Sequence, residues 1–514
     1  MPSLALSRLL AVNEAPLARE ALEIRAIRDK ALNDLRQFAG GSTFRRNQEA
    51  SLRETIRLCS SILSPIRRLS AAMLSRIFLL CLPHISEARN IPWYEALEES
   101  PWILGHVSRY GRAVALATPG LWSSILIQGG DVVDGELYSL GMLESSAGYH
   151  LRLRQMHEQD EYIAERALQA LVQHSTRWKT LRITASQLMR LAGVRGRLPI
   201  LETLSVYSRD DSDEEADEDY YSCPPSSNHF AIAPELRSLH VDNAGYPSLT
   251  LPWAQLTHYE ALGTWAAHID ALQSLPNLES CSLVIADEVH FEDPFAYGIK
   301  PAVRLTKLRQ LRIMTERFFH AIEEEWVWPR WLRLPALTEL AIPDGLLHRL
   351  PDVQYAIHTH PSLRKLHIIA GCPEVAALRR VLRMNASITE LLLTLDGYGA
   401  HSRDYTYSKV PPLMEFLTLK PRQPDLFLPQ LETLVIQSPT RDHEEMIGTM
   451  VASRWGTTPL RSVYAVDPGV VLEAKLDSMK AEGLRVFCAE FLYRTESRCL
   501  QNDYGDSRAP FQLD

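Results

Sequence analysis

Leu201-Glu202-Thr203-Leu204-Ser205-Val206 is the stretch that decides how this chain is read, because its pattern returns again and again downstream. Leu236-Arg237-Ser238-Leu239-His240-Val241 repeats it, and Leu363-Arg364-Lys365-Leu366-His367-Ile368 repeats it again. Other copies begin at Leu278, Leu308, Leu337, Ile388, Leu431 and Leu460, with a weak copy at Leu256 and a first one at Trp178. Within each copy the apolar residues of the Leu-x-Ile half alternate, which predicts a short strand with one buried face. The stretches between copies carry helical spacing: Thr264 to Leu275 puts Trp265, Ile269 and Leu272 inward, and Pro373 to Met384 starts on a proline. A unit of strand then helix, repeated at intervals of tens of residues, predicts an α/β solenoid with parallel strands over residues 178–495. Such arrays bind other macromolecules along one face, so a protein target of unknown identity is expected.

The copies are unevenly spaced, and the regular asparagine of the best-known arrays is absent. The turn after each strand must therefore be stabilised in another way. Two long intervals hold insertions. An acidic loop at 208–228, with its run from Asp210 to Asp219, reads as a solvated segment. Tyr398 to Asp425, rich in tyrosine, proline and polar residues, reads as a second loop at the rim of a binding surface.

Bulk properties narrow the function. The chain has 514 residues, a net charge of -9 and a pI near 6.0, with 46% hydrophobic and 23% charged residues. That acidity argues against a nucleic-acid partner, which needs a basic face. The most apolar stretch, Met73 to Leu82, is interrupted by Arg76 and falls far short of the ~20 residues a bilayer requires. The N-terminus does not read as a secretory signal, so an intracellular protein, cytoplasmic or nuclear and without a membrane partner, is expected. Seven scattered cysteines, none at CxxC spacing, suggest free thiols rather than a zinc site or a disulfide framework.

Ahead of the repeats, residues 1–63 read as a helical hairpin or short coiled coil. Leu17, Ala21, Ile24, Ala31, Leu35 and Phe38 form one stripe, and Leu52, Ile56, Cys59 and Leu63 the other, about the Gly40-Gly41 turn. Residues 64–127 read as a compact helical module. One helix carries Met73, Leu74, Ile77, Phe78 and Cys81 and stops at Pro83. A second starts at Ser100-Pro101, carries apolar residues as far as Ala115 and ends at Thr118-Pro119, and a strand-like Ser123 to Ile127 follows. Residues 128–177 read as a helical connector and 496–514 as a C-terminal tail.

Within the module, Ser64-Pro65-Ile66-Arg67-Arg68-Leu69 is followed by Leu74-Ser75-Arg76-Ile77-Phe78-Leu79-Leu80-Cys81-Leu82-Pro83. Its second half reads Val107-Ser108-Arg109-Tyr110-Gly111-Arg112, then Ala115-Leu116-Ala117-Thr118-Pro119-Gly120-Leu121-Trp122. Both halves, in order, resemble the F-box-like proteins of mushroom-forming fungi, in which leucine-rich repeats commonly follow the module. The resemblance implies a horseshoe of such repeats. It also implies that the helices dock on a Skp-type adaptor of a cullin-based ubiquitin ligase complex while the repeats hold the substrate. Carried onto this chain, the adaptor contacts would be Pro65, Ile66, Leu69, Leu74, Ile77 and Phe78. Two positions depart from the pattern: Ser70-Ala71-Ala72 stands where the family has Pro-Pro-Glu, and Gly111 where it has a core tryptophan. Glycine there is expected to cost packing and helix propensity, about 1 kcal/mol against alanine before the lost ring is counted.

No catalytic phrase is present: no P-loop, no Gly-x-Ser-x-Gly, no His-Glu-x-x-His. His443-Glu444-Glu445 and His358-Thr359-His360 are the nearest to metal-like pairs, and neither has a third ligand at useful spacing. Trp326-Val327-Trp328-Pro329-Arg330-Trp331 is an aromatic cluster suited to a contact patch or to a wedge between repeats. The expected function is non-enzymatic and without cofactors: substrate recognition for a ubiquitin ligase. The alternative is a repeat scaffold whose F-box has lost its adaptor.

Overall fold

The computed structural model describes residues 4–11, 15–37, 43–82, 101–127, 141–146, 148, 150–155, 165–207, 227–241, 249–285, 303–315, 332–347, 363–369, 373–395, 403–420, 427–437, 441–466 and 468–489. The chain divides into two compact units, 1–178 and 179–514. Most of the acidic loop, the Trp326–Trp331 cluster, the His358/His360 pair and the C-terminal tail lie outside the described residues.

In the first unit, helices Ala18–Gln37 and Thr43–Leu63 pack together. Leu9, Ile24, Cys59 and Ile62 close a small apolar core between them and helix Leu4–Ala11. Ala21 and Ala31 are buried as their spacing predicts, whereas Leu17 is exposed. Arg67 ties the following module to this core, its Nη1 donating to the Leu9 carbonyl at 2.7 Å.

Residues 64–127 begin with a 3-10 turn, Pro65–Arg68, and helix Ala71–Leu80. Ser70 caps that helix, its hydroxyl accepting from the Met73 N–H at 3.3 Å. The single helix expected from Ser100 to Ala115 is instead two, Trp102–His106 and Arg109–Leu116. The break falls at Ser108, which is extended (φ -161°, ψ 160°) and caps the second helix by accepting from the Gly111 N–H at 2.9 Å. A serine that can satisfy an orphan N–H competes with helix continuation, and here the cap wins.

Gly111 corrects a second expectation. Rather than leaving a hole, it is buried: a Cβ on it would lie 3.1 Å from Ser108 Oγ, 3.3 Å from the Leu104 carbonyl and 3.8 Å from Phe78 Cζ. Aromatic bulk comes instead from Trp122, fully buried with its Nε1 donating to the Ala115 carbonyl at 2.8 Å. Trp102 meets it edge-on at 4.9 Å. Strand β1 (Ser124–Ile127) pairs in parallel with β2 (Leu151–Gln155). The stretch 128–177, expected to be a helical connector, therefore holds a strand beside helix Glu165–Gln173. The Leu151-x-Leu153 alternation was its signal.

The second unit is a stack of parallel strands in chain order: β3 (Trp178–Thr184), β4 (Thr203–Tyr207), β5 (Ser238–Val241), β6 (His258–Gly263), β7 (Ser280–Ile285), β9 (Gln310–Thr315), β11 (Glu339–Ile342), β12 (Lys365–Ile368), β13 (Glu390–Thr394), β14 (Thr433–Gln437), β15 (Ser462–Val466) and β16 (Arg485–Ala489). Two two-residue strands, β8 (Val303–Arg304) and β10 (Leu332–Arg333), pair separately. Every predicted copy of the phrase supplies one strand, and the phrases stack in register. Leu181, Leu204, Leu239, Tyr259, Cys281 and Leu311 form one continuous row. The row continues through Leu340, Leu366, Leu391, Leu434, Val463 and Val486. All twelve are buried. β16 was not among the predicted copies, although Leu484-x-Val486 carries the pattern.

The backbone forms a ladder at the strand starts. In copy after copy, the two residues after the first leucine donate to one carbonyl of the preceding repeat. Arg237 and Ser238 bond to Glu202 at 2.9 and 3.0 Å, Thr338 and Glu339 to Arg309 at 2.9 Å, and Thr389 and Glu390 to Arg364 at 2.8 and 3.0 Å. This ladder needs no particular side chain, which leaves those positions free to vary.

Helices Trp265–Gln273, Val375–Met384, Glu444–Arg454 and Val470–Ala481 connect strands. Tyr398 to Asp425, expected as a loop, contains helix Arg403–Leu417 despite Pro411 and Pro412. Val410, Leu413, Met414 and Leu417, spaced as one helical face, are all buried, and that burial outweighs the proline penalty. No described helix is long and apolar enough to cross a membrane.

Candidate functional site

Two regions, one in each unit, are candidate partner surfaces. The first is on helix Ala71–Leu80. The six residues singled out as adaptor contacts divide there by burial. Leu74 and Phe78 are 2% and 5% exposed and belong to the module's own core. Leu69 is half-buried, while Pro65 and Ile66 lie exposed on the 3-10 turn. Ile77 is 40% exposed, and its neighbours on the helix face are Met73 at 56% and Leu80 at 80%, neither of which was in the predicted set. Met73, Ile77 and Leu80 follow i, i+4, i+7 spacing and so form one stripe beside the buried Leu74/Phe78 stripe. The helix is apolar on two faces, and its own fold uses only one. Ser75 helps hold it in place, its hydroxyl accepting from Thr118 Oγ1 at 2.9 Å.

The second surface is the sheet face opposite the buried leucine rows in the second unit. The residue between each Leu and Ile of the phrase points there. Register aligns Arg182, Ser205, His240, Glu260, Ser282 and Arg312, then Ala341 and His367. Beyond them the same row turns apolar, through Leu392 and Val435, which are buried, and then aromatic, with Tyr464 stacked on the exposed Phe487 at 4.6 Å and 7° between planes.

Most of the polar part is internally satisfied. His240 Nδ1 and Glu260 Oε2 are 2.9 Å apart, and His367 Nε2 lies 2.9 Å from Glu390 Oε1. Lys365 Nζ sits 3.3 Å from Glu390 Oε2. Burial pushes the Glu390 carboxyl up, but His367 and Lys365 together hold it below the ordinary carboxylate value. Ser282 and Arg312 differ: the buried Ser282 Oγ and Arg312 Nε have no hydrogen-bond partner. One pleat toward the strand N-termini lies a cavity of about 470 Å³. It is lined by His258, Glu279, Ser280, Arg309, Gln310, Thr338, Glu339, Arg364 and Lys365.

The metal-like pair at His443-Glu444 has another use. Glu444 caps the helix Val470–Ala481, its Oε2 accepting from the Val471 and Leu472 N–H groups, both at 3.1 Å. Among the described residues, no three His, Cys, Asp or Glu side chains are grouped to hold a metal ion. Cys59 and Cys281 are buried free thiols, and burial raises both above the ordinary thiol range.

No protein-family model matches the chain, and no curated protein matches it. The functional reading rests on the two surfaces and the sequence pattern alone.

Proposed function

We propose that this chain is a substrate-recognition subunit of a cullin-based ubiquitin ligase, docking a Skp-type adaptor through its 64–127 module and holding a target protein on its repeat sheet. The observation that carries the reading is the exposed stripe of Met73, Ile77 and Leu80, with Ile66 exposed on the preceding turn. Burying one large aliphatic side chain is worth about 1.5–3 kcal/mol, so a helix groove that covers three gains several kcal/mol. The stripe lies within the segment whose sequence resembles an F-box. The repeat sheet supplies the second requirement, a long surface built from parallel strands that can present side chains to a protein. This reading assigns no bond-making chemistry to the chain itself.

Co-purification with a purified Skp-type adaptor tests it. Wild type captures the adaptor, and an Ile77→Asp, Leu80→Asp variant does not while remaining folded. Failure of the wild type to capture would leave a repeat scaffold with no ligase role. Leu74 and Phe78 are unsuitable for this test, because charging the module's own core would unfold it.

A further inference from the structure

We infer that the Ser282–Arg312 step on the repeat sheet, with the cavity beside it, seats a carboxylate side chain of an extended acidic segment in the bound protein. The proposal rests on the repeat sheet being the target-holding surface, and it names the chemistry of what is held there.

Four observations lead to it. Ser282 and Arg312 are register partners on adjacent strands, which places them about 4.8 Å apart in the pairing direction. Ser282 is 8% exposed, yet its Oγ has no partner, and the buried Arg312 Nε has none either. Among the described residues Arg312 forms no ion pair, although it is half-buried. A buried donor left unmade is costly, and each one in a native structure calls for an explanation, such as a functional role or an ion. Immediately along the same two strands, Ser280 and Gln310 line the 470 Å³ cavity, one pleat from the pair, so a chain lying in it comes within side-chain reach of the half-buried Arg312.

Charge decides between oxyanions. Arg309, Arg364 and Lys365 line the cavity, but Glu279 and Glu339 line it too. Lys365 is already engaged by Glu390, and Arg364 donates to the Ser387 carbonyl. With Arg312, four cations stand against Glu279, Glu339 and Glu390, so the surplus is one positive charge, matched by a singly charged carboxylate. A phosphate dianion would bring unbalanced charge against the two glutamates. The occupant is extended because the cavity runs across the starts of successive strands, from His258 in β6 to Lys365 in β12.

Fluorescence anisotropy of the full chain with labelled hexaglutamate tests the proposal without any adaptor, so its outcome is independent of adaptor capture. Hexaglutamine and a phosphoserine peptide of equal length are the comparisons. The expected result is saturable binding of hexaglutamate that weakens by about tenfold or more in Arg312→Gln, as loss of a charged hydrogen bond implies. Ser282→Ala weakens it several-fold, Arg312→Lys retains part of it, and Arg485→Gln, the same charge change at the far end of the sheet, leaves it unchanged. Equal binding of hexaglutamine, or equal affinity in Arg312→Gln and wild type, would overturn the site. Tighter binding of the phosphoserine peptide than of hexaglutamate would overturn the carboxylate assignment.

Discussion

Glu444 and Gly469 occupy one another's space: a Cβ built on Gly469 would lie 1.7 Å from Glu444 Oε1 and 2.6 Å from its Cδ. The carboxylate is nearly fully buried and accepts from Val471 and Leu472, so it serves as the N-terminal cap that Gly469 cannot supply to the helix Val470–Ala481. One helix of the stack thus caps the next. Gly469→Ala must displace the carboxylate and strand two N–H groups, at a cost of about 2–3 kcal/mol. The expected result is a lower Tm and urea midpoint than wild type, and a neutral effect would show that Glu444 has another place to go.

His268 makes stability depend on pH. It is fully buried, its Nε2 donates to the Val284 carbonyl at 3.2 Å, and desolvation lowers its pKa from 6.5 to about 4. Between those values the unfolded chain binds a proton that the folded chain refuses, so stability falls as pH drops from 6.5 to 4 and this loss is complete below 4. The contribution is about 3 kcal/mol over that window. Urea midpoints measured across it should decline for wild type and decline less for His268→Gln, whatever that substitution costs at neutral pH.

Arg454 is a buried cation that makes no ion pair among the described residues. Its Nε donates to the Leu417 carbonyl at 2.8 Å and its Nη1 to the Phe427 carbonyl at 3.3 Å, and burial lowers its pKa to about 10. Leu417 ends a helix, whose C-terminal dipole favours a cation. Lysine keeps the charge but cannot fork to both carbonyls, so Arg454→Lys should destabilise by about 2–4 kcal/mol. Chemical denaturation reads this directly, and a loss under about 0.5 kcal/mol, the range of an ordinary surface change, would refute the clamp.

Neighbouring positions on helix Ala71–Leu80 should behave oppositely. Phe78→Ala empties the core against Gly111 and costs about 3–5 kcal/mol, whereas Met73→Ala and Leu80→Ala stay within about 0.5 kcal/mol of wild type. Thermal unfolding separates the two classes. Gly111→Trp, which restores the residue of the F-box-like pattern, should destabilise strongly, because Ser108 Oγ and the Leu104 carbonyl already crowd its Cβ at 3.1 and 3.3 Å and Phe78 lies behind them, leaving an indole no space.

The repeat phrase was legible because strand periodicity is local: Leu204, Leu239 and Leu366 need only alternate with polar residues to mark a face. Even the weak copy at Tyr259 falls into the row. Less legible was anything that depends on a neighbour distant in sequence. Pro411 and Pro412 read as a loop because nothing local shows that Val410, Leu413 and Leu417 have a surface to bury against. Glu444 resembled half of a metal pair until Val471 and Leu472 came within reach. On helix Ala71–Leu80 the apolar residues were visible, but the division into a core stripe and an exposed one was not.

By itself, the sequence determined the strand type and order of the predicted repeats, because side-chain alternation acts within a strand. Only the tertiary structure decided that Gly111 is tightly packed, that Met73, Ile77 and Leu80 remain exposed, and that Ser282 and Arg312 meet with unused donors. Those outcomes are differences between burial and exposure, or between a satisfied polar atom and an orphaned one. They arise from residues that the chain brings together across long separations, and no local pattern encodes them.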